Sequence, residues 1–530
     1  MISERTIINF LLWMGGLILG SYLALTAVEQ NYWPLLLTGA AVIPILTLVV
    51  RDRLCAFPYL GSYVGGKFTF IPFGLAAADV GSIALILYFA INYVALRRKP
   101  ISTGLLCFFL PILIIFLIVL YHDHSFGLKA LGSSLEGSRP GILILEACVA
   151  FLCGINISTP SVSFFRKLPW WCFILASVSA IPYVISTNFP SLTPYLYNIS
   201  DNLDVDSYVS ANSFSQHSDA IGRSGPQAAI GGTLMMCLLC YYPITTWWRP
   251  GRWLLAFLGL ACFALVLSSG YRNTLVTFVL TVVLCIWCYL SWRTLVLLPI
   301  FIIALFALSF NQDYHLIDLP LVAQRSLSVI PGDWNWDESV VNSADSSNDF
   351  RENIQKVYIQ EYLYKSPWIG NGLSFNASKY AELNSLAEHD TPDHYYQAEV
   401  FITAKNFHTG WLSVYDIVGL IGSAAFVFLN LSMIWVSGRL VFGRGADRQS
   451  SLFPLKAWMF VYSVTGFFGF FTLFGDFKTA FPGLCFSAIV LYHLDKLDRA
   501  TRLKPSLPVA RQSFQLSGPK AAILEATKEA

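Results

Sequence analysis

WLLAFLGLACFALVLSSGYRNTLVTFVLTVVLCIWCYLSWRTLVLLPIFIIALFALSF fills residues 253–310. It divides into apolar runs at 253–270, 273–291 and 294–310, broken only at Ser268–Arg272 and around Arg293. Runs of roughly 17–25 apolar residues are the length at which a helix crosses the hydrocarbon core of a bilayer. Three such runs in succession predict a membrane bundle.

The pattern continues on both sides. Further runs fall near 7–28, 33–50, 76–96, 102–121, 140–157, 169–187, 226–246, 409–436, 455–474 and 479–494. The chain is 55% hydrophobic and only 12% charged, with mean hydropathy +0.58. Soluble domains carry about a quarter charged residues. The expected fold is therefore an all-α polytopic membrane protein of about 12–14 transmembrane helices with one large, mainly helical extracytoplasmic loop domain. Residues 7–28 lack a small-residue cleavage site and are expected to span rather than to be removed.

Lys/Arg placement orients the spans. Arg97-Arg98-Lys99, Arg166-Lys167, Arg249/Arg252, Arg293, Arg439/Arg444/Arg448 and the stretch from Lys496 alternate consistently as cytoplasmic. Arg51 and Arg53 break the alternation, because one clear span separates them from Arg97. The expected division is a bundle over 1–310, an outward domain over 311–407, three spans over 408–494 and a disordered cytoplasmic tail over 495–530. The outward segment through His408 holds 14 Asp/Glu against 6 Lys/Arg, with helices expected near 351–364 and 376–388.

A net charge of +2 gives no electrostatic case for nucleic acid. The eleven cysteines lie in or beside apolar runs, and Cys237/Cys240 and Cys285/Cys288 read as small core residues. Seven of the eight histidines fall on the outward side, which puts titratable chemistry there.

Four features could carry that chemistry. His408, in Asn406-Phe407-His408-Thr409-Gly410-Trp411, sits where the outward segment enters a helix. There an imidazole can take a proton from a hydroxyl or simply hydrogen-bond locally. Arg272 opens a long apolar helix, where it either snorkels or combines with the helix's positive end to hold a pyrophosphate. Arg223, the sole basic residue of 188–225 among four aspartates, either pairs with Asp219 or faces an anion. Lys365-Ser366-Pro367-Trp368-Ile369-Gly370-Asn371-Gly372 is a turn whose glycines allow close backbone approach. His389-Asp390-Thr391-Pro392-Asp393-His394 has metal-like composition, but Pro392 breaks any helical register and no metal site is expected.

Taken in chain order, these elements resemble the O-antigen ligase and polymerase family. The resemblance rests on Arg223 to Gly232, on Ser268 to Arg272, and on Arg351 followed by Ser366-Pro367-x-x-Gly370-x-Gly372, Asn406-x-His408 and Gly419-Leu420-Ile421-Gly422. It covers roughly residues 210–435. Thr409 stands where the family commonly has Asn, and Tyr271 separates Gly270 from Arg272. The resemblance implies an inverting, metal-independent glycosyltransferase that needs no cofactor. Its donor would be a glycan on undecaprenyl pyrophosphate, and its acceptor lipid A-core or another glycan. It implies catalytic roles for Arg223, Arg272 and His408, and substrate contacts at Arg325, Arg351, Gly370, Gly372 and Asn406. Ligase, polymerase and protein-glycosylating readings stay open. The rival reading is a transporter of lipid-linked glycan, which would place its charges at mid-bilayer depth.

Overall fold

The computed structural model describes residues 50–64, 76–96, 105–122, 139–197, 224–247, 249–290, 297–314, 318–332, 334–373, 376–387 and 395–503. Their regular structure is helical throughout. We label α1 Ala77–Leu96, α2 Leu106–His122, α3 Arg139–Asn156, α4 Val162–Ser179, α5 Gly225–Tyr241, α6 Trp253–Leu267 and α7 Arg272–Leu290. Then follow α8 Leu297–Asp313, α9 Glu338–Glu361, α10 Ala377–Ala387, α11 Tyr395–Thr403, α12 Gly410–Phe442, α13 Phe453–Phe468 and α14 Phe477–Leu503. The expected span at 7–28 and the tail beyond Leu503 lie outside the described residues.

Among the described residues four stretches are long and apolar enough to cross a membrane: Val162–Ser186, Arg272–Leu290, Gly410–Phe442 and Phe477–Arg502. Ala77–Asn92, Leu106–His122, Pro140–Asn156 and Trp253–Leu267 are shorter apolar helices. Trp253, Leu254, Phe257 and Leu260 of α6 are all exposed. An apolar face of that extent has lipid as its solvent, and the chain is a membrane protein. Among the described residues α12 packs along α2 and α13, α14 along α3, and α5 against α6 and α7. Trp458, fully buried in α13, donates its indole N–H to the Tyr59 hydroxyl at 2.8 Å.

Two boundaries differ from the sequence expectation. Helix α14 runs past 494 to Leu503 because its polar end is paired. Asp495 meets Arg439 and Arg499, each at 2.6 Å, and Asp498 meets Lys456 and Arg502. Helix α9 begins at Glu338, well before Arg351. The stretch 338–350 is rich in Ser, Asn and Asp, which are weak helix formers. Its first turn is capped by Asp337 and its inner face is buried at Val340 and Ala344, so packing overrides propensity. Arg53 lies 5.7 Å from the Phe164 ring, beside the start of α4 that carries Arg166 and Lys167. The three basic residues therefore share one side of the molecule.

Helix α12 has 33 residues, about 50 Å at 1.5 Å per residue, against a hydrocarbon core of about 30 Å. It is broken at Gly419, where φ is +64°. The segment before the break is packed inside protein, with Leu412, Ser413, Val414, Asp416, Ile417 and Val418 buried. Beyond the break Leu420, Ile421, Phe428, Leu431 and Trp435 are exposed.

Candidate active site

Helices α5 and α7 begin beside each other. Ser224, the N-cap of α5, donates its backbone N–H to Ser269 O at 2.9 Å, and Ser268 Oγ meets Gln227 Oε1 at 3.3 Å. Gly270, at φ +72°, turns the chain into α7, whose first residue is Arg272. Two helix N-termini thus lie together, each presenting the positive end of a macrodipole. Arg223 lies outside the described residues, but it immediately precedes Ser224.

Arg272 reaches across to α9, where Nη2 donates to Ala344 O at 3.3 Å and Asn348 Oδ1 at 3.4 Å. Arg351 lies one turn beyond Asn348 on the same helix. Its charge acts on His408, as does that of Lys478 at the start of α14. Separate parts of the chain therefore bring Arg272, Arg351, Lys478 and His408 into one basic neighbourhood.

His408 occupies the turn between α11 and α12. Both Lys405 and His408 adopt left-handed backbone, at φ +57° and +52°. Such conformations cost on the order of 1–3 kcal/mol each and persist where the surroundings over-determine them. The imidazole packs against Phe474 at 5.1 Å, Phe401 at 5.6 Å and Phe350 at 6.3 Å between ring centroids. Burial lowers its pKa below the ordinary 6.5, and the Arg351 and Lys478 cations lower it further. The neutral imidazole, the form able to accept a proton, is favoured. Asn406 belongs to the same turn, its N–H donating to Phe401 O at 2.9 Å.

The chain between α13 and α14 completes the surroundings. A π-turn over Gly469–Leu473 brings Phe474 onto His408, and Asp476 follows. Ser413 Oγ lies 3.4 Å from Asp476 Oδ1 and accepts from Phe477 N at 2.8 Å. Burial pushes the Asp476 carboxyl up, against the opposing pull of Lys478. Asn348, Asp476 and Lys478 were not among the residues expected from sequence. The only local signal was a charged Gly475-Asp476-Phe477-Lys478 step directly after an aromatic run.

Gly370 and Gly372 have positive φ, +77° and +70°, and their segment is bound to the break in α12. Asn371 N and Gly372 N donate to Asp416 O and Ile417 O, the latter at 3.1 Å. Pro367 O and Trp368 O accept from Leu420 N and Ile421 N at 2.8 and 3.0 Å. The backbone groups freed by the helix break are thereby satisfied. His122 Nε2 bonds Ile369 O at 2.9 Å and holds the segment from α2. The two glycine motifs are halves of one clasp, and these backbone atoms are committed to it.

Arg325 is buried in the short helix Leu321–Leu327, whose Ser326 Oγ donates to Leu267 O at 2.8 Å. That bond sets the turn against the loop leading to Arg272. Thr274, Thr277 and Thr281 on the following turns of α7 line a cavity of about 320 Å³, shared with Gly232, Trp458 and Tyr462. The cluster His389 to His394 lies outside the described residues. Among the described residues no three His, Cys, Asp or Glu side chains are grouped to hold a metal.

Residues 254–427 match the family model described as O-antigen ligase. The resemblance drawn from the motifs is borne out. The O-antigen ligase match starts in α6 and ends in α12, just past the Gly419–Gly422 half of the clasp. It includes Arg272, Arg325, Arg351, Gly370, Gly372, Asn406 and His408, while Arg223, Asp476 and Lys478 fall outside it. No curated protein matches the chain.

Proposed function

We propose that this chain is a membrane glycosyltransferase. It would move a glycan from undecaprenyl pyrophosphate to an acceptor hydroxyl on the periplasmic face of the inner membrane. The observation that carries this reading is that Arg272, at two adjoining helix N-termini, reaches α9 one turn from Arg351, whose charge acts on His408. Arg272, with Arg223, would hold the pyrophosphate, and His408 would take the proton of the acceptor hydroxyl. The acceptor oxygen attacks the anomeric carbon from the face opposite the leaving group. The bond to the pyrophosphate oxygen breaks with its electron pair, and the configuration inverts. Negative charge grows on the leaving group, where fixed cations stabilise it most in the transition state. Arginines doing this work make the reaction independent of a metal ion. The cavity beneath Arg272 suits the first isoprenoid units of the carrier, with surrounding membrane lipid continuous with the rest of the tail.

A transporter of lipid-linked glycan needs charged groups along a path through the bilayer. The candidate residues here gather at helix starts, which favours transfer chemistry. Deleting the gene and separating the cell's surface polysaccharides tests the reading and divides its branches. Polymer accumulating on the carrier means a ligase acting on lipid A-core or a related acceptor, and single-repeat products mean a polymerase. Unchanged polysaccharides contradict the proposal.

A further inference from the structure

Asp416 lies eight residues past His408, in the part of α12 before the break, and its side chain is fully buried. The carboxylate accepts from three donors. Lys405 Nζ approaches Oδ2 at 2.6 Å, Asn371 Nδ2 approaches Oδ1 at 2.8 Å, and the Tyr358 hydroxyl approaches Oδ1 at 3.1 Å. Each donor comes from a different segment of the candidate site. Tyr358 is on α9, two turns beyond Arg351. Asn371 is in the glycine clasp. Lys405 opens the left-handed turn that ends in His408. The Tyr358 ring also packs edge-on against Phe407 at 5.4 Å, directly before the histidine.

The turn needs such support. Lys405 and His408 both hold left-handed backbone, which non-glycine residues adopt only where neighbours fix it. One end of the turn is tied by the Lys405–Asp416 ion pair. Its middle is tied by Phe407, buried with Ile354, Tyr358, Ile402 and Leu412. A buried carboxylate with three donors is well satisfied, and removing its charge leaves the part-buried Lys405 without its counterion.

We propose that Asp416 is a positioning residue for the transfer reaction, setting His408 against the α9 face that bears Arg351 by anchoring Lys405, Tyr358 and Asn371 at once. The inference rests on the glycosyltransferase reading. A misplacement of a base by about 1 Å can cost on the order of a hundredfold in rate, while Arg272 itself lies on α7 and meets α9 at Ala344 and Asn348, well before Tyr358. Loss of Asp416 should therefore lower turnover and leave donor affinity alone.

The test uses full-length protein in lipid nanodiscs, with a polyprenyl-pyrophosphate-linked oligosaccharide as donor and active sites counted by stoichiometric donor binding. Asp416→Asn should lower kcat per counted site at least tenfold, with the donor KM within twofold, and Asp416→Glu should recover at least a third of the loss. A purely structural role would reduce the number of counted sites and leave kcat per site within twofold, which overturns the proposal. So would a donor KM that rises with the fall in kcat. If Asp416→Asn does not accumulate, Tyr358→Phe and Lys405→Met each remove one bond and should each lower kcat per site threefold or more. Both remaining within twofold of the parent overturns the proposal. If the parent protein transfers no sugar, the glycosyltransferase reading fails instead.

Discussion

The backbones of Gly370 and Gly419 touch, so that a Cβ on Gly370 would lie 2.6 Å from the Gly419 amide nitrogen. Two short motifs separated by the whole of α10 and α11 thus meet at one point. The broken helix and the turn that fills it form a single unit below the His408 turn.

That contact makes both glycines intolerant of a side chain. Gly419→Ala and Gly370→Ala each force left-handed backbone onto an L-residue, roughly 1–2 kcal/mol from conformation alone, and add a backbone clash. Both variants should melt well below the parent in detergent. Gly466→Ala, where an added methyl meets nothing within 4 Å, should not. Equal melting temperatures for all three would remove the clasp from the account.

The lowered pKa of His408 sets a pH profile. A base must be neutral, so kcat/KM should be flat above the ordinary 6.5 and fall with unit slope at a midpoint below it. Arg351→Gln and Lys478→Met each remove a cation that disfavours the imidazolium. Either should move that midpoint upward, towards 6.5. The linked stability has the same sign. The neutral folded histidine contributes stability above its unfolded pKa, and this is lost as pH falls through the folded value. A midpoint that stays put in both variants contradicts the electrostatic assignment.

The Lys/Arg alternation predicts an outward placement for 311–407. A reporter enzyme that is active only in the cytoplasm, fused after Asp345, should be silent. Activity from that fusion would invert the topology and put the histidine turn on the wrong side.

The helical class and the order of motifs were legible because both are local signals. Apolar length marks a span, and Arg272, Gly370, Gly372 and His408 stand out against their flanks. What escaped the sequence depends on contacts between distant segments. The start of α9 at Glu338 is fixed by the Asp337 cap, by packing against the helix Leu321–Leu327 and by Arg272, against its own propensity. Phe474 and Lys478 reach His408 only because a π-turn redirects the chain, and Asp476 between them meets Ser413. From sequence, Gly370 and Gly372 marked a turn with close backbone approach, and the family resemblance implied substrate contacts there. Their partner, a break inside a helix that reads as continuous, has no periodicity signal at all.

In the proposed mechanism an arginine holds the donor and a histidine activates the acceptor. Purified protein in nanodiscs, supplied with polyprenyl-pyrophosphate-linked glycan and acceptor in the presence of EDTA, measures it directly through kcat and donor KM. The parent should remain active. Arg272→Ala should raise the donor KM and lower kcat, with Arg272→Lys restoring little, since a point charge does not reproduce the bidentate fork. His408→Ala should bind donor normally and turn over about 10²–10⁴-fold more slowly. Near-normal turnover by His408→Ala, or activity lost to EDTA and regained with a divalent cation, would contradict the account.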